Sequence, residues 1–243
     1  NNSFDKEVIN MELLANGSTD GFILSVAKET QQKQDYHHLQ EVINQGMPMV
    51  MFDRVIDDIP CDKVIIDDVT GGRKAVQKLI DLNCRRIALI TTVDYVSVGK
   101  LRTRGYRKSL EENNIPIDED LILKIEDFDN SEAEIRNFLK DKKVDGLFAV
   151  NEHFAIHAIK AFKSQGLEVP RDVLVIGFTN GELSKHFIPS LTTVSQHGAE
   201  IGAQAARLLI RKLENVDAEE EPFETIIVET GLVERESTRK KAQ

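Results

Sequence analysis

Short runs of uninterrupted apolar residues alternate along the chain with longer stretches at helical spacing, and this alternation leaves few folds open. The apolar runs are "GFILSV" (21–26), "MVMF" (49–52), "VIID" (64–67), "IALI" (87–90), "LILKI" (121–125), "VDGLFAV" (144–150), "VLVIGF" (173–178) and "TIIVE" (225–229). Between them, Ala75, Val76, Leu79 and Ile80 mark a helix over 69–83. Ala155, Ile156, Ile159 and Phe162 mark one over 153–165, and Ile201, Ala205, Leu208, Leu209 and Leu213 one over 198–213. Strands that are apolar on both faces need cover on both faces, and helices that return between them make their sheets parallel. The chain is therefore expected to be α/β. Eight strand runs exceed one small sheet, which points to two doubly wound lobes.

The bulk properties remove several functions. The 243 residues suffice for a sizeable core, and no run of about 18 apolar residues is present to span a membrane. The opening "NNSFDKEVIN" lacks the basic and apolar regions of a signal peptide. Cys61 and Cys84 stand far apart, as free thiols in a reducing, cytoplasmic compartment would. Duplex binding depends on neutralising phosphates with Lys and Arg, so a net charge of −10 argues against binding DNA by this chain itself. The basic end "RESTRKKAQ" reads as a solvated tail and the acidic "NVDAEEEP" (215–222) as an exposed loop.

In open α/β sheets, ligands sit where loops converge beyond the carboxyl ends of the strands. That rule selects Asp53 and Arg54, the segment Ser97–Arg102, Asp127–Asp129 with Phe128, Asn151 and Glu152, and Thr179 and Asn180. Carboxylates, a guanidinium, amides and an aromatic face suit a polyhydroxylated small molecule. Loops after strands are also polar simply because they are wet, so residue types alone leave both readings open. No catalytic apparatus is visible. His153 and His157 have helical metal spacing, but Glu152 precedes rather than follows the first histidine, so no metal is expected. "VTGGRKA" (69–75) lacks both phosphate-loop signatures and reads as a tight strand-to-helix turn. No serine lies in a nucleophile elbow, and no cofactor is expected.

The ordered motifs "TDGFILS" (19–25), "GMPMVMFDR" (46–54), "IDDVTGGRKAVQKLIDLNCRRIALI" (66–90), "RTRGYRKSLEENNI" (102–115), "LFAVNEHFAIHAIKAFKSQGLEVPRDVLVIGF" (147–178), "IPSLTTVSQ" (188–196) and "LVERES" (232–237) span nearly the whole chain. Together they resemble the effector-binding domain of the lactose-repressor/galactose-repressor family of bacterial transcription regulators. The resemblance implies a periplasmic-binding-protein-like fold, two parallel-sheet lobes with a ligand cleft between them. One lobe would comprise 1–65 with 195–222, lacking its opening strands. The other would comprise 66–194 with 223–243. The family's helix-turn-helix would precede both. The resemblance further implies a cytoplasmic homodimer that binds a sugar or related polar metabolite and meets operator DNA only through that absent head. A soluble sugar-binding receptor of a transport system shares the fold and is the alternative. An enzyme on this fold is a third class that no motif favours.

Carried over residue by residue, the resemblance makes Asp53, Arg102, Phe128, Asn151, Thr179 and Gln196 ligand-binding positions. Thr179 departs from the pattern, since the family usually has Asp there, and Asn180 or a water is the expected substitute. Arg102 reads as a first-turn helix residue, poorly placed against the helix dipole, which suggests a use. On this reading Arg102→Ala abolishes effector binding while hardly moving the thermal midpoint.

Overall fold

The computed structural model describes residues 2–214 and 222–239; most of the acidic stretch 215–222 and the last four residues of the basic end therefore lie outside the described residues. In chain order the elements begin with α1 (Phe4–Ala15), β1 (Phe22–Leu24), α2 (Lys28–Lys33), α3 (His37–Asn44), β2 (Met49–Phe52) and β3 (Asp62–Ile66). Next come α4 (Asp68–Asp81), β4 (Ile87–Thr92), α5 (Ser97–Glu112), β5 (Ile122–Ile125), α6 (Ser131–Leu139), β6 (Gly146–Ala149) and α7 (Glu152–Ser164). The chain continues through β7 (Leu174–Thr179), α8 (Glu182–His186), β8 (Thr192–Ser195), α9 (Gly198–Glu214), β9 (Thr225–Val228) and β10 (Gly231–Val233). It forms two compact units: residues 1–66, 95–98 and 197–229, and residues 67–94, 99–196 and 230–243. These boundaries correct the expected ones at 195 and 223. β9 pairs in parallel with β3 through Lys63–Thr225 to Ile66–Val228, so 223–229 is sheet partner to the first unit.

The first unit holds the parallel sheet β1-β2-β3-β9. Helix α9 crosses these strands, and Met11, Phe22, Leu39, Val42, Met49 and Met51 close part of a buried cluster with α1 and α3. A polar knot ties the three N-terminal helices together. The Glu7 carboxylate accepts from Thr30 Oγ1 at 2.7 Å, His38 Nε2 at 3.0 Å and the Ala27 N–H. Burial alone would push its pKa up, but these hydrogen bonds and the His38 charge outweigh that and hold it below the ordinary range. A carboxyl depressed in the folded state contributes stability that is present above its unfolded pKa and lost as pH falls through its folded pKa. The first unit should therefore loosen as pH drops below the ordinary Glu range. Glu7→Gln should flatten that dependence in thermal melts at stepped pH, and a slope unchanged by the substitution would refute the assignment.

Glycine in a helix interior is unfavourable unless space demands it. Around Gly202 in α9 no atom lies within 4 Å of a β-carbon. Gly202→Ala should therefore stabilise the chain by about 0.5–1 kcal/mol, read as a higher urea midpoint at constant slope.

The second unit carries the order β10-β8-β7-β6-β4-β5. All pairs are parallel except β10, which runs antiparallel to β8. After β4 the chain steps outward to β5, then returns past β4 to β6 and continues to β7 and β8. The direction of winding thus reverses between β4 and β6, which is where an open α/β sheet opens a crevice for ligands. Buried Leu89, Ile90, Leu147, Phe148, Val175, Ile176 and Phe178 fill the sheet's interior, matching the apolar runs in the sequence.

Three local expectations are corrected here. Gly71 and Gly72 lie inside α4, not in a turn. A β-carbon on Gly72 would stand 2.5 Å from the Arg102 carbonyl oxygen, and one on Gly105 would stand 2.7 Å from the Arg73 nitrogen. The glycines therefore let α4 and α5 touch backbone to backbone. Second, Arg102 is the sixth residue of α5, not a first-turn residue, and the dipole argument lapses. Third, the start of the basic tail is packed: Ser237 and Thr238 are buried, and Ser237 Oγ donates to the Val175 carbonyl at 2.6 Å.

Candidate ligand site

Arg102 is the centre of the second unit's strand-tip region. It reaches from α5 at the winding switch and is only 4% exposed. Its Nε donates to Asp68 Oδ1 at 2.7 Å, and Asp68 is itself buried as the first residue of α4. Nη1 donates to the Val150 carbonyl at 2.8 Å, just beyond β6. The guanidinium lies over the Phe178 ring at 3.9 Å, so its plane is fixed by a cation–π contact as well. Nη2 is buried and has no hydrogen-bond partner among the described residues. A buried donor left unpaired costs about 1–3 kcal/mol, and with Nε and Nη1 both engaged that cost falls on Nη2.

The neighbouring tips are shaped by capping. Asn151 is the N-cap of α7, and its Oδ1 accepts from the Phe154 N–H at 2.8 Å. A short polar side chain at this position satisfies one of the helix's orphan donors. Glu152 follows as a buried carboxylate that accepts from Ser184 Oγ at 2.7 Å and Ser184 N at 3.2 Å, so it anchors α8. Thr179 ends β7 at φ 108° and Asn180 follows at φ 64°. A β-branched residue there is a true outlier, and such strain concentrates at functional sites. Asn180 Oδ1 accepts from Arg235 Nη2 at 2.6 Å, so this amide oxygen is already committed.

Phe128, beyond β5, is 49% exposed and stands edge-on to His153 and tilted against Phe154, at centroid distances of 5.2 and 5.7 Å. It is thereby placed at the start of α7 beside the Asn151 cap. Gln196 is half-buried directly after β8, the neighbour of β7. The second unit thus gathers Arg102, Phe128, Asn151, Thr179 and Gln196 at the carboxyl ends of its parallel strands. Asp53 belongs to the first unit, where it follows β2 at φ 57° and donates its N–H to the Val64 carbonyl at 3.2 Å.

Sequence reasoning missed Asp68, Val150 and Phe178 as the partners that orient Arg102, and it missed Arg235 as the partner of Asn180. The two histidines of "EHFAIH" diverge: His153 faces Phe128, while His157 Nδ1 lies 3.2 Å from Ser131 Oγ. Among the described residues, no group of three or more His, Cys, Asp or Glu is arranged to hold a metal. No helix there is long and apolar enough to cross a membrane.

A periplasmic binding protein-like domain matches residues 76–238. The chain belongs to that family. Its relatives in sequence and structure are LacI-type transcriptional regulators. The chain is 32% identical over 203 residues to the HTH-type transcriptional regulator DegA of Bacillus subtilis (strain 168), covering 83% of this chain and 60% of that protein. Among solved structures it resembles a transcriptional regulator CelR–cellobiose complex, with TM-score 0.83, 30% identity, 97% of this chain and 71% of that one covered. It also resembles a LacI family regulator from Enterococcus faecium with bound ribose, with TM-score 0.84, 25% identity, and 96% and 84% covered. The chain spans about three-fifths of the length of the curated relatives it matches in sequence, 60% of DegA's.

Proposed function

We propose that this chain is the effector-sensing part of a bacterial transcription regulator and binds a sugar or related polar metabolite without transforming it. The observation that carries this reading is the buried Arg102 guanidinium, locked by Asp68, Val150 and Phe178 and left with its Nη2 unpaired at the sheet's winding switch. Arg102, Phe128, Asn151, Thr179 and Gln196 are the proposed contacts in the second unit, and Asp53 remains among the proposed contacts from the first. Similarity to regulators solved with cellobiose and ribose favours this over a transport receptor. The whole protein would work as a cytoplasmic homodimer, with operator DNA bound by a separate head because this chain carries a net charge of −10. A ligand that favours one arrangement of the regulator shifts its DNA affinity by linkage, and about 1–3 kcal/mol of coupling gives a 5–150-fold change.

A thermal-shift screen with sugars, sugar acids, nucleosides and phosphorylated sugars tests the reading. A true effector at a hundred times its Kd should add about 2.7 kcal/mol of stability, and it should be recovered chemically unchanged. A flat screen, or conversion of the bound compound, would overturn the proposal.

A further inference from the structure

We infer that the group which the effector offers to the second unit is an anionic oxygen, such as the carboxylate of a sugar acid, and not a neutral hydroxyl. The inference rests on the effector-binding reading above and concerns the tips of β6 and β7, the two strands that Arg102 touches.

Several of the acceptor oxygens there are engaged by the protein itself, and N–H donors are left over. Asp68 Oδ1 is taken by Arg102 Nε, and Glu152 Oε2 by both the N–H and hydroxyl of Ser184, which turns that carboxylate toward α8. The Asn151 oxygen caps α7, which leaves its NH2 group as the part able to donate outward. The Asn180 oxygen accepts from Arg235, so of that amide too the NH2 group is the part left to donate. Neither amide can reverse without leaving the Phe154 N–H or the Arg235 guanidinium facing another donor, so hydrogen bonding sets both orientations. Arg102 Nη2 supplies a third donor, buried and without a partner among the described residues. The N-terminal turn of the 13-residue α7 opens at the same tip, and the first N–H groups of a helix favour negative charge. Thr179 contributes one hydroxyl where a carboxylate would have offered two acceptor oxygens.

A neutral polyol would meet these N–H groups only with uncharged hydroxyl oxygens, each of which also brings an O–H that needs an acceptor of its own. A carboxylate, which only accepts, matches such donors without bringing one of its own, and bonds to ionised acceptors are about twice as strong as neutral ones. Sugar phosphates share this chemistry, so the experiment includes both sources.

Isothermal titration with D-glucose, D-gluconate, D-glucuronate and D-glucose 6-phosphate, and with the matching galactose series, decides the matter. At least one charged member should bind tenfold or more tightly than its neutral parent, and whether it is a carboxylate or the phosphate identifies the source. Asn151→Asp supplies the control. Aspartate caps a helix as well as asparagine does, so the melting midpoint should hold. The new carboxylate faces the ligand in place of an NH2 donor, so affinity for the charged member should fall at least tenfold. A neutral parent that binds as tightly as its charged partner would overturn the anionic assignment and leave the effector-binding reading standing. So would a charged ligand indifferent to Asn151→Asp. Failure of every charged member to bind at millimolar concentration would overturn the anionic assignment, and the wider thermal-shift screen then decides whether the effector-binding reading stands.

Discussion

Arg102→Ala is expected to unfold the second unit more easily as well as to abolish effector binding. Arg102 and Asp68 are both buried, with side chains 5% and 4% exposed, and their contact is 2.7 Å long. Removing one partner of such a pair strands the other charge in the interior, which typically costs about 3–5 kcal/mol. For a chain of this size that corresponds to a fall in thermal midpoint of roughly 6–20 °C. This replaces the expectation from sequence that the midpoint hardly moves, because folding buries the arginine against Asp68. Pairing the substitution with Asp68→Ala should recover part of the loss, because the stranded carboxylate goes too, and a double-mutant cycle measures that coupling. A midpoint within a degree or two of wild type for Arg102→Ala alone would contradict the buried pair.

Gly105→Ala is the second large effect, and its sign is informative. In an open helix alanine outranks glycine by about 1 kcal/mol, the gain expected for Gly202. At Gly105 the added carbon would lie 2.7 Å from the Arg73 nitrogen and 3.1 Å from the Gly72 carbonyl carbon, and would overlap the Val69 carbonyl oxygen. These are backbone atoms, so no rotamer change relieves the clash, and overpacking of this kind costs about 1–3 kcal/mol, occasionally more. Helix α5 must then move away from α4. Arg102 lies one turn earlier on α5, so its contacts with Asp68 and Val150 should lengthen and ligand affinity should fall at least tenfold. Chemical denaturation should place Gly105→Ala below wild type and Gly202→Ala above it. The same order for both, or retained affinity in Gly105→Ala, would refute the account of the crossing.

Much of the fold was legible because each element carries a local signal. Continuously apolar runs such as "IALI" and "VLVIGF" became the central strands β4 and β7, since a strand covered on both faces leaves no room for alternation. β8 was not legible, as "TTVS" is fully buried yet built from threonine and serine around one valine. The Thr192 hydroxyl is satisfied by a remote partner, 2.7 Å from Thr238 Oγ1. β10 was missed for a different reason: three half-buried residues carry too little pattern. The placement of 223–229 depended on which sheet edge β9 joined, and nothing within "TIIVE" specifies β3 as its neighbour.

The candidate site divides in the same way. Sequence alone determined that Asp53, Asn151 and Thr179 fall at strand ends, because order along the chain and apolar periodicity are properties of near neighbours. Tertiary structure alone decided what those residues can do. Arg102 takes its partners from positions 34 and 48 residues away, and Asn180 from one 55 residues away. Hydrogen bonds are directional and are chosen among groups that folding brings together. Which oxygen is spent and which donor is left for a ligand therefore becomes defined only when the sheet and its helices have closed.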